Sequence, residues 1–533
     1  MTANTSLPMS FAFQHAWTPL SDFDIASGGT YFMTAVLLIS VTSLWLGSSR
    51  SDVQKLPSIN PVAWFGSSTE AKRAFLTSST RLFAKARVLF PNQPYRMLTD
   101  LGDVLVIPRQ LIDEIRNETK LSFPAANMEA FHGNIPGFEA MAQFDNGGLL
   151  LKTVVRKQLT KYLSKVTQPL SEEAAHAIST NLGESSESQD IVLKPLVLDI
   201  VARMSSRVFM GTQLCRDPEW LKITKQYTMN LFFAATKLRV YPRPLRRFVH
   251  WFLPECRDMR AQYKEAQRVI EPVVMERREI RKQGIREGKN APYFNDALDW
   301  ADEEAERLGI QYNHEAFQLM LSVAAIHTTT DLLVQVMLDL TQHPEIIPVV
   351  RAEIVRELQV DGWGKSALDR LKTMDSLIKE SQRLKPVGMA AMRRVAVDKV
   401  TLSNGLVIPK GTRTFVDCFP MRDPAVYDNP ETWDPERFLR MRSQPGKERS
   451  SLLVTTASDH LGFGHGVFAC PGRFFAANEI KVALCHILMK YEWELTPGTS
   501  VSPLILGAAT MSNPTSKIRI RKRLNPELDL DAI

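Results

Sequence analysis

Phe-Gly-His-Gly-Val-Phe-Ala-Cys-Pro-Gly-Arg occupies residues 463–473 and carries the strongest chemical signal in the sequence. Gly464 and Gly466 permit a tight turn with positive φ and a close approach of the backbone to a flat ligand. The proline after Cys470 suits the first position of a helix, which is predicted over 473–489. The unpaired N–H groups and the dipole at that helix end favour a thiolate. A thiolate on one face of an iron porphyrin promotes O–O cleavage, so the pattern indicates a haem site.

Two other interpretations of Cys470 remain open at this point. A lone cysteine is most often a buried structural residue. Cys470 could also be a nucleophile with His465 or His460 as its base. The order Phe-x-x-Gly-x-x-x-Cys-x-Gly is more restrictive than a cysteine plus a histidine, and it favours haem.

The composition excludes several classes of protein. The chain has 533 residues, 44% of them hydrophobic and 23% charged, which is typical of a globular protein and excludes disordered and collagen-like chains. Five scattered cysteines do not form a disulfide scaffold, and no CxxC or HxxxH pattern suggests a zinc site. The net charge of +7 is weak evidence for nucleic acid, which we do not expect as a partner, and is compatible with an acidic protein or a membrane surface.

The amino-terminal region predicts a membrane anchor. Residues 25–49 contain no Asp, Glu, Lys, Arg or His, and a bilayer core needs about 20 helical residues. We predict a lumenal segment at 1–27, a transmembrane anchor at 28–48, a proline-marked hinge at 49–60 and a single domain at 61–533. The positive-inside rule places that domain in the cytoplasm, because Lys and Arg are absent before the span and follow it. A cleaved signal peptide is the alternative, but the run lacks a basic region in front of it.

The rest of the chain predicts a mainly α-helical domain with minor β-structure. Apolar residues recur at helical spacing through the middle of the chain: Val154–Leu163, Leu196–Phe209, Tyr263–Ile280, Ala316–Thr341 and Pro348–Leu358. Strand patterns are fewer: Val104–Ile107, Val400–Leu402, Leu406–Ile408, Arg413–Asp417 and Lys517–Arg523. Asn404-Gly405 predicts a hairpin turn, and the alternating charges of the last strand predict an exposed sheet edge.

The string FGHGxxxCPGRFFAxNE resembles the haem-binding loop of a cytochrome P-450, a haem-thiolate monooxygenase, and in particular of its fungal microsomal members. The resemblance covers about residues 54–525 and implies the P-450 fold, preceded here by one transmembrane helix. It implies that Cys470 is the axial ligand of haem b and that Phe463 packs beside it, with Gly464 and Gly466 forming the loop. One departure is Phe468, which stands where the family usually has a basic residue that binds a haem propionate.

Two further motifs resemble those of the family. Glu380-Ser-Gln-Arg383 places both charged side chains on one face of a helix, and Pro435-Glu436-Arg437-Phe438 resembles the PERF motif. The resemblance implies that Glu380, Arg383 and Arg437 form a buried structural network. Such a network is tolerable only when every charged member is paired.

Residues 318–334 resemble the oxygen-activating helix. Ala324 leaves room for a flat ligand, and three consecutive threonines follow His327. The resemblance implies that Thr328 helps to deliver the proton that splits O–O. Ala325 stands where glycine is usual and His327 where an acid is usual; a histidine could relay protons. An ordinary core helix is the alternative.

Other site residues follow by position. Arg156 and Arg394 correspond to arginines that meet the haem propionates, with Arg393 as a near alternative to Arg394. Lys152 stands where the family usually has tryptophan. Surface roles are the alternative for each arginine. The predicted substrate-lining residues are Ala324, Val387, Met389 and Leu506.

Surface patterns predict two partners. The stretch 241–254 mixes aromatic side chains with arginines and could rest on a bilayer, although packing inside the fold is equally compatible. Lys481, Arg473 and Arg440 lie near the cysteine motif and suggest an acidic docking partner. By resemblance, that partner is an NADPH-cytochrome reductase, which supplies the electrons for reaction with O₂.

The function predicted is a monooxygenase in the endoplasmic reticulum membrane that oxidises an apolar small molecule. The overall pattern most resembles fungal terpenoid-modifying enzymes such as the ent-kaurene oxidase-like group, which implies a terpenoid or meroterpenoid intermediate of secondary metabolism. The alternatives are a haem-thiolate isomerase or dehydratase without a redox partner, a membrane-anchored Cys–His hydrolase and a haem carrier.

Overall fold

The computed structural model describes Thr34, Val36, Leu37 and residues 51–62, 67–290 and 292–533. The predicted lumenal segment and nearly all of the predicted anchor lie outside these described residues. The chain divides into two units, Met1–Lys55 and Leu56–Ile533. Helix α1 belongs to the first unit, and the remaining elements belong to the second.

α-Helices dominate the described part of the chain. They are α1 Asp52–Lys55, α2 Ser68–Leu89, α3 Ile112–Ile115, α4 Phe123–Ala130, α5 Glu139–Ala142, α6 Leu149–Thr153, α7 Leu163–Leu182, α8 Leu193–Leu214, α9 Pro218–Arg239, α10 Arg243–Val249, α11 Pro254–Arg286, α12 Ala297–Leu308, α13 His314–Gln342, α14 Ile347–Asp361, α15 Lys365–Arg370, α16 Lys372–Leu384, α17 Arg437–Arg442 and α18 Arg473–Lys490. The segment Val154–Leu159, which follows α6, is a π-helix.

The strands form small sheets of two to five strands. They are β1 Tyr95–Thr99, β2 Gly102–Ile107, β3 Leu121–Ser122, β4 Gln189–Val192, β5 Ala390–Ala396, β6 Val400–Thr401, β7 Val407–Ile408, β8 Arg413–Asp417, β9 Tyr491–Leu495, β10 Leu504–Leu506, β11 Ala509–Met511 and β12 Lys517–Lys522. The largest sheet has the order β1-β2-β8-β5-β3, and β6 and β7 form the predicted hairpin. The mainly α-helical class with minor β-structure is confirmed.

One strand was predicted at the wrong place in its sheet. β12 has the predicted alternation, with Ile518 and Ile520 buried and the charged residues outward. It lies between β4 and β9, however, and not at the edge of its sheet. A central strand with one solvated face has the same alternation as an edge strand, so the sequence does not separate the two.

Residues around position 59, inside the predicted hinge, are hydrogen-bonded to the body. The Ile59 amide donates to the Arg96 carbonyl at 3.0 Å, and the Arg96 amide donates to the Pro57 carbonyl at 2.8 Å. Ile59 is buried. The second unit therefore begins before residue 61.

Helix α13 is the centre of the fold. Asn313 begins it by accepting a hydrogen bond from the Ala316 amide at 2.7 Å, which satisfies one of the free amides at the helix start. Its apolar residues are buried nearly all round, as expected for a helix enclosed by others. Among the described residues, this is the one helix long and apolar enough to cross a bilayer, and most of that window is buried inside the protein. Helices α8, α9, α16 and α18 pack against it.

Candidate active site

The cysteine loop is a tight turn closed by its own backbone. Gly464 and Gly466 have φ of 67° and 78°, as the sequence predicts for a turn that only glycine adopts without strain. The Cys470 amide donates to the Phe463 carbonyl at 2.8 Å. These contacts fix Cys470 in front of α18, at the predicted helix start.

The close backbone approach at Gly466 is to a neighbouring segment of the protein. A Cβ at Gly466 would collide with the carbonyl of Arg116. That carbonyl accepts hydrogen bonds from the Val467 amide at 3.1 Å and from Nη2 of Arg394, also at 3.1 Å. Gly466 therefore allows the cysteine loop to pack against the chain at Arg116, a contact that sequence reasoning missed.

The pKa of the Cys470 thiol is raised above its usual value as the net result of opposing effects. Burial raises its pKa, while the amides of Gly472 and Arg473 and the charge of Arg473 lower it. These amides are the unpaired N–H groups at the start of α18. They would hold negative charge on the sulfur once a metal ion binds it.

Helix α13 presents one exposed face within an otherwise buried helix. Ala324 and Thr328 are exposed, whereas Ile326, Thr329 and Thr330 around them are buried. Residues four apart lie on the same side of a helix, so the exposed pair borders open space on that side. The space is where a ligand can meet both side chains.

The hydroxyl of Thr328 bonds within its own helix. Oγ1 donates to the Ala324 carbonyl at 2.7 Å, with the Ala325 carbonyl at 3.3 Å. Because its hydrogen is directed at this carbonyl, the hydroxyl oxygen is left to accept a hydrogen bond from a bound water or ligand.

His327 contacts a different helix. Nε2 lies 2.9 Å from the carbonyl oxygen of Lys225 in α9. Burial lowers the pKa of His327, which favours a neutral ring that donates from Nε2. No hydrogen bond joins His327 to Thr328 in the described part of the chain, so a proton relay through this imidazole stays a prediction.

Arg394 is a buried cation with no acidic partner in the part of the chain that the structure describes. Its guanidinium donates to the backbone carbonyls of Ile115 at 2.6 Å and Arg116 at 3.1 Å, and it lies 5.0 Å from the centre of the Phe468 ring. Its Nε is buried without a hydrogen-bond partner. Desolvation lowers its pKa to about 10. A buried guanidinium in this state is suited to an anionic group that enters with a ligand.

A cavity of about 490 Å³ lies beside the cysteine loop. Arg156, which comes from the π-helical segment after α6, reaches it and donates to the Val467 carbonyl at 2.9 Å. Such π-helical segments are frequent at functional sites. The cavity is lined by Arg116, Asn117, Arg156, Thr160, Thr456, His465, Gly466, Ala469, Pro471, Arg473 and Phe474.

These residues fit a haem. Its two propionates need cations, and Arg116, Arg156 and Arg473 line the cavity while Arg394 keeps a free Nε nearby. Arg116 lines this cavity and would supply a cation in place of the basic residue that Phe468 replaces. It was not predicted because no motif marks it. His465, considered above as a base, instead bonds Thr456 through Nδ1 at 3.1 Å.

The structure brings Glu380, Arg383 and Arg437 together. Glu380 and Arg383 are fully buried and form two hydrogen bonds of 2.8 Å. Arg437 donates from Nε to the same carboxylate at 3.1 Å. The remaining donors of Arg383 bond backbone carbonyls, those of Met421 at 2.8 Å and Pro430 at 2.7 Å. Every charged group in this network thus has hydrogen-bond partners, as a buried network requires.

The same helix, α16, holds the segment that precedes the cysteine loop. The buried ammonium of Lys379 donates to the backbone carbonyls of Ser450 at 2.9 Å and Leu452 at 2.7 Å. Asp375 accepts from the Leu453 amide at 2.9 Å. The segment 450–453 is therefore fixed to α16 by buried side chains.

The predicted docking cations near the cysteine motif were wrong in two of three positions. Lys481 is buried and pairs with Asp375 at 2.7 Å. Arg473 is half-buried and bonds the carbonyls of Val454 and Cys470, each at 2.8 Å. Arg440 is exposed. The sequence does not show whether a basic residue in an apolar helix is buried or exposed, because its burial depends on a partner elsewhere in the chain.

Three of the four predicted substrate-lining residues, Val387, Met389 and Leu506, lie in or beside a carboxyl-terminal hairpin, and Ala324 lies on α13. Val387 and Leu506 are 42% and 52% exposed, and Met389 is half-buried. The Met389 amide donates to the Ala508 carbonyl at 2.8 Å, and the Thr510 amide donates to the Val387 carbonyl at 2.9 Å. The β10–β11 hairpin is thus tied to the turn before β5, and both present apolar side chains.

A buried acid on α18 was not predicted. Glu479 is fully buried, and Ser205 donates to its Oε1 at 2.7 Å. Desolvation raises the pKa of Glu479 to about 8, so the carboxyl group is protonated at neutral pH. The residue lies within the FFAANE stretch, but a carboxylate in sequence gives no sign of its burial.

We expect Glu479→Gln to flatten the pH dependence of stability. The raised pKa means that the folded protein keeps a proton which the unfolded chain releases above its usual pKa of 4.5. The stabilisation is complete below about pH 4.5 and is lost as pH rises to about 8, at about 1.4 kcal/mol per unit. Melting temperatures of both proteins between pH 5.5 and 8.5 test this. Parallel curves would contradict it.

A cysteine at a helix start, a buried helix with an exposed threonine and a cavity lined by arginines are together the features expected of a haem-thiolate monooxygenase. The Cytochrome P450 family profile matches residues 144–520. The chain belongs to the cytochrome P450 family. As in this family, the enzyme uses a haem with a cysteine thiolate, O₂, and electrons from NADPH through a reductase.

Relatives from fungi match nearly the whole chain. The cytochrome P450 monooxygenase hepE of Aspergillus oryzae is 43% identical over 520 residues, covering 96% of this chain and 94% of that protein. The monooxygenase adrA of Penicillium rubens is 41% identical, covering 92% and 95%. TRI1 of Fusarium sporotrichioides is 38% identical, covering 89% and 87%. The structure of retinoic acid-bound cyanobacterial CYP120A1 has a TM-score of 0.64 at 17% identity, covering 88% of this chain and 99% of that one, and supports the fold.

Proposed function

We propose that this monooxygenase is anchored in the endoplasmic reticulum membrane and oxidises a terpenoid or meroterpenoid intermediate of fungal secondary metabolism. The observation that carries the proposal is the exposed Ala324–Thr328 face of the buried helix α13. The apolar side chains of Val387 and Leu506 are exposed as well. A lipophilic skeleton would bury such side chains.

In this proposal each residue of the site has a separate role. Cys470 binds the haem iron, and Arg394, Arg156 and Arg116 bind the propionates. The haem supplies the activation of O₂. Thr328 holds a water or oxygen atom through the lone pairs of its hydroxyl, since its own proton is directed at Ala324. Phe463 packs beside the sulfur.

The proposed domain order is a lumenal segment at 1–27, an anchor at 28–48, a hinge at 49–60 and a cytoplasmic catalytic domain. A second membrane contact is proposed at α10 and the residues after it. Phe248, Trp251 and Phe252 are 69%, 56% and 85% exposed, and arginines lie among them. Exposed aromatic and basic residues together suit the interface of a bilayer. Their exposure supports this role over packing inside the fold.

We expect Phe248→Ser combined with Phe252→Ser to weaken membrane binding of an enzyme that lacks the anchor. Each change removes a large apolar side chain from the interface, at about 1.5–3 kcal/mol when fully buried there. Flotation with liposomes measures the bound fraction. Val360→Ser, at another exposed apolar residue, is the matched control. An unchanged bound fraction in the double variant would contradict the contact.

A reductase-docking face is proposed after the π-helical segment that carries Arg156. Lys161 and Lys165 are exposed, and Lys165 lies on α7. Their ammonium nitrogens each lie 5.1 Å from the centre of the Tyr162 ring, so the two cations are near one another. An acidic flavoprotein would be attracted to this face.

The proposed reaction is tested by expressing the holoenzyme with a fungal NADPH-cytochrome reductase and supplying terpenoid candidates. Products heavier by one oxygen atom, labelled from ¹⁸O₂ and dependent on NADPH, are expected. Turnover of a peroxide substrate without NADPH would instead support the isomerase alternative. Thr328 favours the monooxygenase, because rearrangement of a peroxide needs no proton delivery.

A further inference from the structure

The side chain of Arg393 is exposed and yet lies inside the protein. The residue is exposed on β5 while both neighbours, Met392 and Arg394, are buried. The protein around Arg393 nevertheless lowers the pKa of its guanidinium by desolvation. A side chain is exposed and desolvated at once when it lines an internal cavity.

A bulge in β5 directs the two adjacent arginines to different surroundings. The pairing of β5 with β8 shifts register between Ala391 and Arg394, and Met392 has a φ of 51°. Such a bulge reorients the side chains that follow it. Arg394 meets Phe468 and the cysteine loop. We therefore assign the haem-facing role to Arg394 and not to Arg393.

The guanidinium of Arg393 lies at the substrate-lining turn. A Cβ at Gly388 would be 3.0 Å from Nη2 of Arg393 and 2.8 Å from the Ala508 carbonyl oxygen. Gly388 stands between Val387 and Met389, and Ala508 connects β10 to β11. Absence of a side chain at residue 388 makes room for the guanidinium beside this turn.

No carboxylate of the described residues forms an ion pair with Arg393. Among the described residues, the carboxylate whose charge raises the pKa of Arg393 is that of Asp100. Asp100 is paired with Arg239, whose Nη1 lies 2.5 Å from the carboxylate. Within the described ranges, the side chain of Arg393 makes one hydrogen bond, a long one of 3.5 Å from Nε to the Ala390 carbonyl. A desolvated cation with open donors and no counter-charge is costly unless a ligand completes it.

We infer that the substrate carries a carboxylate, which Arg393 binds beside the apolar turn that contacts the rest of the molecule. This inference rests on the proposed function, because it names the substrate class of the same site. The guanidinium presents two parallel donors that match the geometry of a carboxylate. Val387, Met389 and Leu506 contact the apolar part. The ligand is therefore an amphipathic lipophilic acid and not a hydrocarbon.

The test compares acids with their methyl esters on the ferric holoenzyme. Abietic acid and methyl abietate form a cyclic pair, and palmitic acid and methyl palmitate form a linear pair. Dissociation constants come from the spin-state change of the haem spectrum. Of the two acids, the one that the wild type binds more tightly is expected to bind about 10- to 100-fold more tightly than its own methyl ester. This is the range of a charge-assisted hydrogen bond. Arg393→Gln is expected to lose this preference and to keep the affinity for the ester.

The controls separate a specific contact from a general charge effect. Arg393→Lys keeps the charge without the paired donors and is expected to retain part of the preference. Arg519→Gln removes an exposed arginine of β12 that pairs with Asp190 and is expected to retain all of it. Absence of an acid preference in wild type for both pairs, or its persistence in Arg393→Gln, would overturn the inference.

The outcome is distinguishable from failure of the proposed function. Neutral terpenoids that are oxidised with NADPH and reductase, without an acid preference in binding, would leave the proposed function standing and remove the role of Arg393. An acid preference that depends on Arg393, without oxidation of any terpenoid, would support the carboxylate site and contradict the terpenoid substrate.

Discussion

Replacing Cys470 with serine is expected to abolish the red-shifted Soret band that a reduced haem-thiolate protein gives with carbon monoxide. An alcohol at the start of α18 stays protonated under conditions in which a metal ion and the amides of Gly472 and Arg473 stabilise a thiolate. Oxygen incorporation is expected to fall to background with it, because the electron density that promotes O–O cleavage comes from the sulfur.

The control for this variant is Cys215→Ser. Cys215 is buried, and its sulfur lies 3.8 Å from Glu173, so a serine there keeps a hydrogen-bonding group in the same surroundings. The control is expected to retain the band. A normal band from well-folded Cys470→Ser would disprove the assignment of the ligand and reopen the structural-cysteine interpretation.

Replacing Arg383 with alanine is expected to prevent stable haem incorporation. The substitution removes two hydrogen bonds from the buried Glu380 carboxylate and leaves it with Arg437. It also frees the carbonyls of Met421 and Pro430, which Arg383 bonds in the fold. Breaking a buried ion pair on one side costs about 3–5 kcal/mol, a large share of the stability of a typical domain.

Haem content per polypeptide and melting temperature measure the effect. Arg440→Ala is the matched control, because this arginine lies on α17 with Arg437 but is 58% exposed. Exposed ion pairs contribute about 0–1 kcal/mol, so the control is expected to bind haem normally. Full haem loading of Arg383→Ala would contradict a structural role for the network.

Local chemistry explains which features the sequence predicts well. The positive φ at Gly464 and Gly466 and the start of α18 at Arg473 follow from glycine, proline and helical periodicity, which act within a few residues. Likewise, Arg413–Asp417 forms β8 with the predicted bounds. Helix α13 extends beyond the predicted Ala316–Thr341, because the Asn313 cap sets its start.

Features that depend on distant partners were not predictable. The central position of β12 is set by pairing with β4 and β9, which lie far apart in sequence. The burial of Lys481 follows from Asp375 on another helix. The separation of Arg393 from Arg394 follows from a bulge against β8, and nothing in the string Met-Arg-Arg marks a left-handed methionine.

The attachment of residues 450–453 to α16 has a consequence for protein engineering. Lys379 and Asp375 secure the segment that leads into the cysteine loop, while Glu380 and Arg383 on the same helix secure residues 421–437. Chimeras of related enzymes therefore need both regions from one parent. A crossover between residues 385 and 449 would join a helix from one parent to a ligand loop from the other. The contacts between the helix and the loop would form in such a chimera only if the parent that supplies α16 carries the equivalents of Lys379 and Asp375.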